Sequence, residues 1–210
     1  MFTLLVMLMS PSADAATIVG SKHDFSSAST STYKGGTAQT CIYCHTPHNA
    51  SVTNTTPLWN HTDSAAVFTM YTVATSATYQ STTAATPGGV SLACLACHDG
   101  TISVSSYLRG PAGGNTNVKV LAGANAYVGT DLRNDHPVSF TYDSTKDTGN
   151  AGGATGLVAR ASLPTSLPLF GVGADQVECG TCHNVHDSAI PYFLRVSNNN
   201  SALCTACHIK

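Results

Sequence analysis

Four copies of one five-residue pattern, Cys-x-x-Cys-His, account for every cysteine in the chain. They are Cys41-Ile-Tyr-Cys44-His45, Cys94-Leu-Ala-Cys97-His98, Cys179-Gly-Thr-Cys182-His183 and Cys204-Thr-Ala-Cys207-His208. Thiols at this spacing lie one helical turn apart. Both can form thioethers to the vinyl groups of one haem, and the adjacent His then becomes an axial ligand of the iron. Zinc sites, disulfides and redox dithiols also use Cys-x-x-Cys pairs. None of these requires His directly after the second Cys, and all four copies carry one. The pattern therefore predicts four covalently bound haem c groups, anchored through Cys41, Cys44, Cys94, Cys97, Cys179, Cys182, Cys204 and Cys207. His45, His98, His183 and His208 are the proximal ligands.

This density constrains the fold. The 210 residues leave roughly 49 for each motif once a leader is set aside. So short a chain cannot surround four macrocycles with regular layers of helix or sheet. The expected fold is that of a multihaem cytochrome c. It is mostly irregular coil, with short helices at the motifs, few short strands and a core built from stacked haems. Strand-like stretches occur at Asn117 to Leu121 and Val138 to Tyr142, and residues 145–156 read as an exposed loop. The proximal His are separated by 53, 85 and 25 positions, so no tandem repeat is expected. One domain over residues 16–210 is the simplest division.

The N-terminus reads as an export signal over residues 1–15. An apolar run from Phe2 to Met9 precedes Ala13-Asp14-Ala15, a small-x-small cleavage pattern, although no Lys or Arg comes before the run. The run is far shorter than the roughly 20 residues that span a bilayer. Charged residues are only 10% of the chain, and Ser and Thr supply 50 of 210 positions. The net charge of −2 leaves no basic stripe for nucleic-acid phosphates. Mean hydropathy near zero excludes a multi-span membrane protein.

Counting the remaining ligands predicts the state of the irons. Nine His minus four proximal leaves His23, His48, His61, His136 and His186. Three of the four Met (Met1, Met7, Met9) fall in the leader, so Met70 is the only thioether left as a rival. The arithmetic favours four bis-His, low-spin irons, which pass electrons and offer no open coordination position. His48 and His186 each follow a proximal His by three residues. A link that short cannot pass around a porphyrin, so each must serve a haem other than that of its own motif. His136 precedes Pro137, which biases it to an extended backbone, and Asp135 is a candidate to support its imidazole. His23 lies near the mature N-terminus, where a metal bond would tie the chain down or reach into a neighbouring subunit. His61, a polar residue beside the only Trp, ranks last as a ligand.

The strings CIYCHTPHNA, PLWNH, SLACLACHDGTIS, NDHPVSFTYD, VECGTCHNVHD and FLRVSNNNSALCTACH, with the N-terminal Thr17-Ile-Val-Gly-Ser-Lys-His23-Asp, extend the pattern beyond the motifs. Over nearly the whole mature chain the sequence resembles the OmcE-like family, the extracellular filament-forming outer-surface tetrahaem c-type cytochromes of Geobacter-like metal-reducing bacteria. The resemblance implies head-to-tail self-association into a filament with a continuous series of bis-His haems. It implies distal ligation by His23, His48, His136 and His186, with one axial His donated by an adjoining subunit. It also implies an electron carrier, not an enzyme, at the cell surface, exchanging electrons with other redox proteins and external acceptors. Two alternatives stand beside this reading. A soluble periplasmic tetrahaem shuttle would complete all its haems within one chain. A multihaem reductase of a small oxyanion would need an open iron.

Overall fold

The computed structural model describes residues 18–110, 118–146 and 156–209. Residues 1–15, expected to be a leader, lie outside them, as does most of the loop expected at 145–156. Mostly irregular chain links a few short elements, as the residue-to-motif ratio predicts. The longest is helix α1, Gly89–His98, which contains the second motif. It is the one motif with helix-favouring residues throughout, Ser-Leu-Ala-Cys-Leu-Ala-Cys. The third motif carries Gly180 and Thr181, poorer helix formers, and winds only one turn, α2, Cys179–Cys182. The fourth starts from a left-handed Ser201 and yields α3, Ala202–Thr205. The first motif forms a 3₁₀ turn, Cys41–Tyr43. Pro47, three residues beyond Cys44, prevents a longer helix there.

Four two-residue strands clip the ends of these pieces. Strand β1, Phe140–Thr141, pairs antiparallel with β3, Gln176–Val177, with Phe140 opposite Val177. Strand β2, Gly156–Leu157, pairs antiparallel with β4, His208–Ile209, with Leu157 opposite His208. Thus β3 runs directly into the third motif, and β4 contains the last proximal His. The apolar stretch around Val118–Val120 forms no strand. Its Val118 carbonyl instead accepts a bond from the Val104 N–H at 2.7 Å.

The apolar core is divided. One cluster joins Phe68, Met70, Leu95 and Leu132 and lies under α1. The other joins Phe140, Tyr142 and Val177 and takes in Cys207 at its edge. Met70, the one thioether outside the leader, is buried in the first cluster.

The first and third motifs prove to be copies of one module. After each, the chain returns and bridges the proximal His antiparallel, at Trp59 for His45 and at Leu194 for His183. The hydrogen bonds correspond one for one. Thr46 N–H donates to Leu58 O at 2.9 Å, and Asn184 N–H to Phe193 O at 2.7 Å. Asn60 N–H donates to Cys44 O at 2.9 Å, and Arg195 N–H to Cys182 O at 2.8 Å. The side chains of the same two residues latch the turn between the cysteines. Asn60 Nδ2 donates to Ile42 O and Arg195 Nε to Gly180 O. Leu58 and Phe193 occupy the same left-handed conformation, φ 55° and 59°, strained for a non-glycine residue. The return loops differ in length, so spacing alone does not reveal the repeat.

Candidate functional site

In the first and third motifs the His N–H donates back to the carbonyl of the first cysteine, at 2.9 Å for His45 to Cys41 and 3.0 Å for His183 to Cys179. That closed turn gathers two thiols and one imidazole on one short segment. The imidazoles are then oriented by backbone carbonyls. His45 Nδ1 donates to Pro57 O at 2.8 Å. His98 Nδ1 donates to Ala126 O at 2.6 Å, and His183 Nδ1 to Tyr192 O at 2.8 Å. A carbonyl only accepts, so Nδ1 carries the proton in each case and Nε2 keeps its lone pair for a metal. His136 has the same arrangement, with Nδ1 on Pro137 O at 2.9 Å. The support expected from Asp135 is therefore supplied by the Pro137 carbonyl.

Three of the predicted proximal imidazoles lie about 6 Å from one of the distal candidates. The centroids of His45 and His186 are 6.0 Å apart with ring planes at 19°. His23 and His98 are 5.9 Å apart with ring planes at 44°, and His136 and His208 are 6.4 Å apart with ring planes at 69°. A metal–imidazole bond of about 2.0–2.1 Å on each side, plus the two ring radii, requires about 6 Å between centroids. The three pairs have the separation of imidazoles that share one metal ion. His186 meets the proximal His of a motif other than its own, as a three-residue link requires.

Two residues remain apart. Among the described residues, His183 and His48 make no ring contact with another imidazole, and His48 is exposed. His61 differs from all the others. It is only 2% exposed, and both ring nitrogens lie on carbonyls, Nδ1 3.0 Å from Thr62 O and Nε2 3.1 Å from Val104 O. Its Nε2 is also 3.7 Å from Cys97 Sγ. His61 is a buried bracing residue beside a thioether position, packed on Trp59 and Tyr107.

The electrostatics favour haem over a thiolate–metal site. Burial, with His98 and His183 nearby, lowers the His23 pKa to about 4, so this imidazole is neutral and can act as a ligand at neutral pH. Burial pushes the thiols the other way, to about 11 for Cys44 and Cys182 and about 12 for Cys97. A zinc or iron–sulfur ligand must be a thiolate; the environments of Cys44, Cys97 and Cys182 oppose that form, whereas a hydrogen bond from Cys94 lowers the Cys179 thiol. A thioether has no charge to desolvate. The donor set therefore fits haem c.

The cysteines also place the motifs relative to one another. Cys97 of the second motif lies within electrostatic reach of Cys44 of the first. Cys94 of the second shares a hydrogen bond with Cys179 of the third, and Cys182 of the third feels Cys204 and Cys207 of the fourth. Neighbours in sequence order are thus neighbours in space. The carbonyls of Pro57, Ala126 and Tyr192, which orient the imidazoles of His45, His98 and His183, escape sequence reasoning because any residue type supplies one.

The sequence profile of a family described as "Doubled CXXCH motif" matches residues 172–210, which contain the third and fourth motifs. No curated protein matches the chain. The paired motifs indicate a multihaem c-type cytochrome carrying covalently bound haem and suited to electron transfer. Among the described residues, no helix is long and apolar enough to cross a membrane.

Proposed function

We propose that this chain carries four haem c groups, one at each motif. It works as an electron-transfer subunit of an extracellular filament that passes respiratory electrons to acceptors outside the cell. The three imidazole pairs near 6 Å are the observation that carries the reading. Haem, when bound, supplies a reversible one-electron ferric–ferrous couple. The protein's own part is to anchor, orient and insulate. Eight cysteines provide the covalent anchors. His45 and His186, His98 and His23, and His208 and His136 provide paired axial nitrogens for three irons. Saturating each iron from both faces keeps substrates away, which suits a carrier and not a reductase.

Among the described residues, His183 and His48 are left as one proximal and one distal imidazole without a ring contact to another imidazole, although His183 lies within electrostatic reach of His23. We assign them to each other across a subunit boundary, His48 of one subunit ligating at His183 of the next. Such a contact uses two different surfaces of the same chain and is therefore head-to-tail. It propagates as an open polymer when the rotation between subunits does not close a ring. The low surface charge reduces repulsion between like subunits. The order of the motifs in space supports an electron path running from the first to the fourth within each subunit.

The test is electron paramagnetic resonance of the exported holo-protein, whole and after dilution to monomer. Assembled protein should show low-spin iron only, and monomer should gain one high-spin signal from the haem at His183. Four low-spin haems in a monomer would reduce the reading to a self-contained shuttle.

A further inference from the structure

Glu178 is the only glutamate in the chain, and it is 2% exposed. It directly precedes Cys179 and sits where the N-terminal ends of α1 and α2 meet, between the second and third motifs. Its partners are all donors. The Ser139 hydroxyl accepts from Gly88 N–H at 3.1 Å, so its own proton is free to donate to Glu178 Oε2 at 2.9 Å. The Ser91 hydroxyl accepts from Cys179 N–H at 2.9 Å. It therefore donates, together with Ser91 N–H, to the same carboxyl group. Burial pushes the Glu178 pKa above the ordinary carboxylate value, and the donors from Ser91 and Ser139 work against that rise by favouring the ionised form.

Among the described residues, no cation balances this charge. The one ion pair among the described residues is Arg133–Asp131, at the surface. Two other acids, Asp24 and Asp99, are also buried. Each of those fastens its own turn, Asp24 through the N–H groups of Gly20 and Ser26 and Asp99 through that of Thr101, and each also accepts one distant hydroxyl, from Thr40 and Ser64 respectively. The hydroxyl donors to Glu178 come from residues 91 and 139, distant in sequence, and Ser139 adopts a strained left-handed backbone, φ 56°, to present its hydroxyl. An uncompensated buried carboxylate is expensive. The module copy at the first motif has Thr40 in the equivalent place, so the module itself does not need an acid there. Cys94 and Cys179, one thioether anchor from each of two motifs, both lie within its field.

We propose that Glu178 is the internal counter-charge of the second and third haems, a positioning residue that stabilises their ferric forms and lowers their potentials below those of the first and fourth. The proposal rests on the tetrahaem reading. Each one-electron reduction, with the electron supplied by an electrode or dithionite, cancels one positive charge near Glu178. No bond to Glu178 forms or breaks and no proton is transferred.

The first test needs no mutation. Holo-protein labelled with ¹³C at the glutamate side-chain carboxyl should give an isotope-sensitive carboxylate band in its reduced-minus-oxidised infrared spectrum. The absence of such a band would overturn the proposal. The second test is spectropotentiometry of Glu178→Gln and Glu178→Asp. Gln should raise the ferrous-to-ferric ratio of two of the four haems about tenfold at fixed poise, equivalent to about 59 mV, while Asp, which keeps the charge, should leave them low. Unchanged potentials in a Gln variant with four haems, or equal shifts in both variants, would also overturn it. Loss of haem from the second and third motifs of the wild type, read by mass, would instead remove the tetrahaem reading.

Discussion

His45, His98, His136 and His183 are each held by a backbone carbonyl on Nδ1, and that bond leaves Nε2 to face a metal. The arrangement makes the paired residues separable by substitution. His186→Ala and His136→Ala should each convert one haem to high-spin, seen in the visible and electron paramagnetic resonance spectra. His61→Ala should leave all haems low-spin, because both nitrogens of His61 already lie on carbonyls. A low-spin His186→Ala protein would remove the pairing of His186 with His45. At this scale the sequence was highly legible. Cys-x-x-Cys-His declares its chemistry through residue type and spacing alone, and the three-residue step from His183 to His186 forbids ligation within one motif. Which distal His meets which proximal His was not legible, since those pairs join residues 72 to 141 positions apart. The burial of His61 against Val104, 43 residues away, was equally hidden.

Among the elements, the duplicated module carries most of the local order. Its latch is a single side chain that bonds the turn between the cysteines. Asn60 makes one such bond, donating to Ile42 O at 2.8 Å, and also ties down Arg109, donating to its carbonyl and accepting from its N–H at 2.8 Å each. It is fully buried. Asn60→Ala removes those three bonds and should destabilise the protein by about 1–3 kcal/mol, measured by denaturant unfolding of the holo-protein. A loss below about 0.5 kcal/mol would mean that the module is held by its cysteines and not by its latch. Sequence reading missed the repeat for a physical reason. The equivalence lies in backbone hydrogen bonds and a left-handed residue, and Pro-Leu-Trp-Asn matches Tyr-Phe-Leu-Arg at no equivalent position. The helix lengths, by contrast, follow from composition, with the Ala- and Leu-rich second motif forming the one long helix.

At the level of the whole molecule, the described apolar core is split into two small clusters joined by irregular chain. Stability must then depend on what the motifs bind. Cys94→Ala combined with Cys97→Ala should lose one haem by mass and yield little soluble protein, because Leu95 and Ala96 between them belong to the buried interior. A stable three-haem protein would show that the polypeptide folds without that support. The coil-dominated fold was legible from the ratio of residues to motifs. Which imidazoles pair within the chain was not, because it depends on contacts between residues far apart in sequence.

The most direct measurement is an electron cryomicroscopy structure of the exported holo-protein collected from outside the cells. The account predicts filaments with four haems per subunit. Three irons are bound by His45 with His186, His98 with His23, and His208 with His136, and the fourth is bound by His183 with His48 of the adjoining subunit. Discrete monomers, or an iron at His183 completed from within its own chain, would contradict it.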